Sequence, residues 1–234
     1  MAIGTLQETL SLDTFWEELI FTEARLSGDE QAKEYAPAFV ALLGRLGIVR
    51  DGQRAVWHEE VSAEAAVAAA DNHLDDFVRA LAKTLLRVVD DDVKSPRYLR
   101  YFSSTPSSII RLGLESEVAR VRGWVDSLVS EPEKDLQDRG AELRTLIEQG
   151  DQVVDRRRKA AATRSDHRVR AIMPIIDDIN SARFSLYGSL TKKAAELHLP
   201  RDWADRFFRH STRSPKEEPQ PVAPNGQPTA PSQT

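Results

Sequence analysis

Apolar residues recur at intervals of three and four along most of this chain, the spacing that gathers them on one face of an α-helix. Leu12, Phe15, Leu19 and Leu26 mark the first such face, and Thr14-Phe15-Trp16-Glu17 has the form of a capping box at its start. Ser27-Gly28-Asp29-Glu30 ends that helix and can cap a second one, which carries Tyr35, Phe39, Leu42 and Leu46. A long stripe follows at Val67, Ala70, Leu74, Phe77, Leu81, Leu85 and Val88, predicting a helix over about 60–89.

Ser95-Pro96 and Thr105-Pro106 each set a capping residue before a proline suited to the first helical position. They predict a short helix near Arg97–Phe102 and another from Pro106, with Leu114, Val118, Val121, Val125 and Leu128 as its stripe. Ser130-Glu131-Pro132-Glu133 opens a helix holding Leu136, Leu143, Leu146 and Val153. Ile172, Ile176, Ile179, Leu186, Leu190, Ala194 and Leu197 then form a heptad-like seam of the coiled-coil kind, broken only by Arg183. Pro174 should kink or end any helix that enters it, because it removes a donor and clashes one turn back. Pro200 stops the seam, and Asp202–Phe208 reads as a short aromatic anchor.

The pattern is interrupted at Ile48–Trp57, where Asp51-Gly52 stands between two short segments that could pair as a tiny β-hairpin. The other reading is an interhelical loop with Gly47 as the helix cap, and it is favoured because an isolated hairpin is marginal without a surface to pack on. The expected fold is all-α, an elongated antiparallel bundle of about six to eight helices over residues 1–210, followed by a disordered Pro-rich tail over 211–234. The tail's Pro221-Val222-Ala223-Pro224 and Pro228-Thr229-Ala230-Pro231 match the loose spacing of polyproline ligands, with a solvated tether as the plainer reading.

Composition narrows the chemistry. The 234 residues are 41% hydrophobic and 29% charged, enough to bury a core. The absence of cysteine rules out thiolate metal sites and cysteine nucleophiles, and it fits a reducing compartment. No signal-like start and no apolar run of ~20 residues is visible, so the expected location is cytoplasmic, without membrane contact. The five histidines are scattered and none belongs to an H-E-x-x-H pair. Phosphate-binding glycine loops, nucleophile elbows and the Glu-x-x-His motifs of di-iron bundles are missing too. No catalytic residue, metal ligand or cofactor is therefore assigned.

Charge supplies the candidate site. Arg156, Arg157, Arg158, Lys159, Arg164, Arg168 and Arg170 place seven cations in fifteen residues. They spread around most of a helix, the mark of a solvated segment, and could turn near Thr163–Asp166. No aromatic residue lies among them, so base stacking lacks support, and a net charge of -5 argues against general affinity for nucleic acid. Asp90-Asp91-Asp92 opposes a helix dipole, and pairing with Arg97 or Arg100 would relieve it.

Acidic groups also occur at Asp71, Asp75 and Asp76 and at Asp177-Asp178. Asp177-Asp178-Ile179-Asn180-Ser181 is similar to the second metal motif of class I terpene synthases, which would imply magnesium and a diphosphate. Ser185 stands where that motif has glutamate, and the first acidic group does not match. Three functions follow in order. The first is a non-enzymatic helical interaction or scaffold protein, self-associating through the 172–197 seam. The second is an adaptor binding nucleic acid or an acidic partner through 156–170. The last is a metal-dependent enzyme with carboxylate ligands centred on Asp75 and Asp177.

Overall fold

A computed structural model describes residues 3–209, and the Pro-rich segment expected from Ser211 onward lies outside them. The elements in chain order are α1 (Leu12–Ser27), a 3-10 turn (Lys33–Tyr35), α2 (Ala36–Val88), α3 (Pro96–Tyr101), α4 (Pro106–Ile110), α5 (Leu114–Val121) and α6 (Trp124–Val129). They continue with α7 (Lys134–His167), a π turn (Arg168–Ile172), α8 (Met173–Glu196) and a last 3-10 turn (Ala204–Phe207). The chain is an all-α helical bundle, with no strand among the described residues. None of these helices is long and apolar enough to cross a membrane.

Two rods organise the molecule. α2 has 53 residues and spans about 80 Å at ~1.5 Å per residue. α7, the π turn and α8, of 34, 5 and 24 residues, follow one another without a break over about 95 Å. Glu59 meets Arg156 while Gly52 meets His167, so numbers rise on one rod as they fall on the other. The rods are antiparallel.

Each end of the pair is thickened by shorter elements into a separate core. In the first, Phe15, Leu19 and Leu26 of α1 pack on Phe39, Leu42 and Leu46 of α2, on Ile176, Ile179, Leu186 and Leu190 of α8, and on Trp203, Phe207 and Phe208. In the second, Leu74, Phe77, Leu81 and Leu85 of α2 pack on α3 to α6 and on Leu136, Leu143, Ile147 and Val154 of α7. Each fully buried Leu or Phe contributes about 1.5–3 kcal/mol. Between the cores lies a waist, where Ala63 is the one buried residue of α2 from 47 to 73 and Ala160 the one buried residue of α7 and the π turn from 155 to 171. Two small side chains let the rods touch there without a third layer.

The hairpin and loop readings of Ile48–Trp57 are both corrected. Asp51 and Gly52 are mid-helix in α2, whose backbone groups bond within the helix instead of needing a sheet partner. A Cβ on Gly52 would stand 2.7 Å from Cε1 of His167, so this glycine is a contact notch and not a turn. The turn expected near Thr163–Asp166 is likewise absent, since α7 runs through it.

Pro174 neither ends nor breaks its rod. The π turn just before it bonds Met173 N–H to the Arg168 carbonyl, five residues back, and the widened backbone makes room for the ring. The first helix starts three residues ahead of the expected capping box, with Ser11 Oγ accepting from Thr14 N–H at 3.2 Å. Arg97 and Arg100 do not pair with Asp90–Asp92. Arg97 bonds Glu131 (2.6 and 2.9 Å) and Glu133, while Asp90 and Asp91 take left-handed φ of 53° and 60° in the turn that ends α2.

The buried stripe of α7 reads Leu136, Gly140, Leu143, Ile147, Gly150, Val154, so two of its contact positions have no side chain at all. A Cβ on Gly140 would meet the Val129 backbone nitrogen at 2.9 Å, whereas Gly188 on α8 has nothing within 4 Å. Ala at Gly188 is expected to raise stability by up to about 1 kcal/mol through helix propensity. Ala at Gly140 is expected to lower it by about 1–3 kcal/mol, because α6 must retreat. Urea unfolding of the two variants checks the opposite signs.

Candidate functional site

The seven cations of the basic segment sit on the waist end of α7 and in the π turn, and most are already engaged. Arg156 makes a two-point contact with Glu59 of α2 at 2.8 and 3.0 Å, and this pairing draws the Glu59 carboxyl below its usual range. Arg157 and Arg158 both reach Glu115 of α5, the former at 3.6 Å. Arg164 bonds Glu60, and Arg170 bonds Asp166 at 2.9 Å. Lys159 and Arg168 make no ion pair among the described residues. The segment therefore acts first as a zip between the rods, built from partly exposed pairs worth about 0–1 kcal/mol each.

Two members of the segment also line a groove that the sequence does not announce. About 560 Å³ in volume, it runs along the waist between α2, α7 with its π turn, and the first turn of α1. One wall carries Arg50, Gln53, Arg54, Val56 and Trp57, and the other Arg164, Ser165, His167, Arg168 and Ile172. Ser11, Leu12 and Asp13 lie at its α1 end. Arg50, Arg54, Trp57 and Val61 recur at steps of four, three and four, which aligns them along one face of α2. Trp57 is 60% exposed and Val61 45%.

The four guanidinium groups of the groove are not equivalent. Arg50 is held over the Trp16 ring at 4.6 Å and bonded to Asp13, and Arg164 is held by Glu60. Arg54 has only a long 3.7 Å contact with Asp51, and Arg168 has no ion pair. With Gly52 facing His167, these two freer cations stand within about a turn of the same level on opposite walls, near Trp57. His167 Nε2 lies 3.3 Å from the Val49 carbonyl, which seats the imidazole as the floor of the groove. The aromatic residue missing from the basic segment in sequence is thus supplied by the other rod.

Carboxylates do converge, though not where the sequence suggested. Asp178 pairs with Arg45, and Asp75 lies roughly 45 Å further along α2, so Asp75 and Asp177 share no site. Asp75 instead faces Asp71 and Glu117 of α5 in the second core. Glu117 is fully buried with no donor facing either oxygen, and burial together with the charges of Asp75 and Asp71 pushes its pKa up to about 8. No group of residues with metal-holding geometry exists among the described residues.

The heptad-like seam is not a free surface. Six of its residues, Ile172, Ile176, Ile179, Leu186, Leu190 and Ala194, are buried in the first core, and the seventh, Leu197, is 46% exposed, so the chain itself covers most of this face. Arg183, which breaks the seam, is also buried, 3.8 Å from Glu18 of α1. Neither the family models, nor the curated proteins, nor the solved structures compared with this chain give a match. The site is therefore read from its own residues.

Proposed function

We propose that this chain is a non-enzymatic helical interaction protein that holds a protein partner in the waist groove. The observation that carries the reading is Trp57, a large aromatic side chain 60% exposed in a groove of about 560 Å³, beside the two least engaged cations, Arg54 and Arg168. Tryptophan and arginine are among the residue types most enriched at the energetic centres of protein interfaces. The rods support the reading in a second way. They fix two cores at opposite ends and leave between them the one stretch with no third layer.

Nucleic acid is the weaker partner. Most cations of Arg156–Arg170 are already matched by carboxylates, and the two freer guanidinium groups of the groove, Arg54 and Arg168, are too few to follow a phosphate chain. A photo-reactive phenylalanine analogue in place of Trp57 is expected to give a discrete protein adduct in cells of the source organism. The same analogue at exposed Val93, beyond the end of α2, is expected to give none. Failure to trap any protein from position 57 would remove the proposal.

A further inference from the structure

At each end of the molecule the rods are packed by additional helices. α1 lies along α2 and α8 in the first core, and α3 to α6 lie against α2 and α7 in the second. The waist alone keeps a two-helix cross-section, and the groove there begins at the N-terminal end of α1, with Leu12 and Asp13 at its mouth. It continues the line of α1 into an empty third-helix position. Its wall on the second rod runs from Ala161 to Ile172, a length of about 16 Å, or three helical turns.

The lining sets what can lie in that position. The apolar anchors are Trp57 and the partly buried Val56, with the edge of the largely buried Ile172 on the other wall and Val61 continuing the stripe beyond them. Cations stand on both walls, Arg54 on one and Arg168 on the other, and both are exposed. An extended chain would satisfy a sheet edge, and the waist has none. A helix laid between two helices buries an apolar stripe and sends its flanking residues outward to both walls.

Resting on the interaction reading above, we infer that the occupant is an acidic amphipathic helix of a partner protein, about three turns long. Its apolar residues at i, i+3 or i+4, and i+7 pack on Trp57, on Val56 and over the edge of Ile172. Carboxylates on the two sides of that stripe meet Arg54 and Arg168. The π turn contributes by carrying Arg168 and Ile172, both on the groove wall, past a point where Pro174 would otherwise disturb the rod.

The experiment uses the full chain and a capped 16-residue peptide with leucines at the stripe positions, glutamates beside them and alanine elsewhere. Intrinsic tryptophan fluorescence is followed, since Trp57 is the one tryptophan that is mostly exposed. The acidic peptide is expected to blue-shift the emission in the micromolar range and to bind at least tenfold more weakly to the R54E/R168E protein. That variant should gain binding to the same peptide with lysine in place of glutamate, and W57A should lose the signal and weaken binding by a titration calorimetry readout. Circular dichroism of both variants is expected to match the parent, because the substituted side chains are exposed.

Three outcomes overturn the inference: no binding of the acidic peptide, equal binding of the lysine peptide to the parent protein, or preferential binding of oligothymidylate that R54E/R168E abolishes. A protein adduct trapped at position 57 together with any of these would leave the interaction reading standing and remove the acidic helix alone. Absence of both the adduct and peptide binding would remove the two together.

Discussion

Alanine in place of Arg183 is expected to destabilise the protein by about 3–5 kcal/mol, whereas replacing both Arg183 and Glu18 by apolar residues restores stability or exceeds it. Arg183 and Glu18 are 5% and 6% exposed, and their nearest charged atoms are 3.8 Å apart, too far for a good hydrogen bond. Nε and Nη1 of Arg183 and Oε2 of Glu18 have no hydrogen-bond partner. Burial raises the Glu18 pKa and lowers that of Arg183, so each ion is less comfortable than in water, though the other offsets part of the cost.

Phe208 adds a ring face 5.7 Å from the guanidinium carbon. That contact contributes little beside two ions removed from solvent. Removing Arg183 alone leaves the buried Glu18 carboxylate with only the charge of Arg209 to offset its burial. An E18L/R183M double variant fills the same space without charge. Urea unfolding of the parent, R183A and E18L/R183M gives the three free energies. A double variant as unstable as R183A would show that the ion pair is a net source of stability.

The second large effect concerns Glu117, and its sign depends on pH. The carboxyl has a pKa of about 8 in the folded chain and the usual value of 4.5 when exposed, because burial and the neighbouring Asp75 and Asp71 resist a second negative charge. The folded state thus keeps a proton that the unfolded chain releases above about 4.5. The stability tied to this proton is fully present below that value and is lost as pH rises through 8. Between pH 5 and 8 the loss is on the order of 3 kcal/mol. Asp71, also raised by burial and by Asp75, adds to the same trend.

Glutamine at position 117 carries no proton to lose and can donate to Asp75, so E117Q is expected to unfold later than the parent at pH 8 and to differ little at pH 5. Arg79, bonded to Asp75 at 3.1 Å and Asp76 at 2.8 Å, remains the counter-charge in both proteins. Denaturant midpoints at pH 5, 6.5 and 8 measure the difference. A gap between the two proteins that stays constant across this range would rule out proton release at Glu117.

The helical class and most of the buried faces are legible in the residue pattern alone. Leu12, Phe15, Leu19 and Leu26, or Leu74, Phe77, Leu81 and Leu85, can be read directly because a period near 3.6 is a local property, set by the chain's own geometry. The Ser95 cap was equally legible, since its oxygen bonds a backbone N–H two residues away. Long-range partnership was not. Asp51-Gly52 carries the local signature of a turn, yet it runs straight because the packed stripes on either side hold one helix and His167 needs the notch.

The break in the seam at Arg183 looked like a defect until Glu18 came from another helix to face it, and Arg97 looked like the partner of Asp90–Asp92 until Glu131 and Glu133 claimed it. The candidate site divides in the same way. Arg164 and Arg168 stand out in sequence as part of a charge run, and the ion pairs that occupy most of that run depend on α2 and α5. Trp57, Arg54 and the groove itself exist only where the two rods meet. Which surfaces face water is decided by packing between segments a hundred residues apart, and no local pattern encodes that distance.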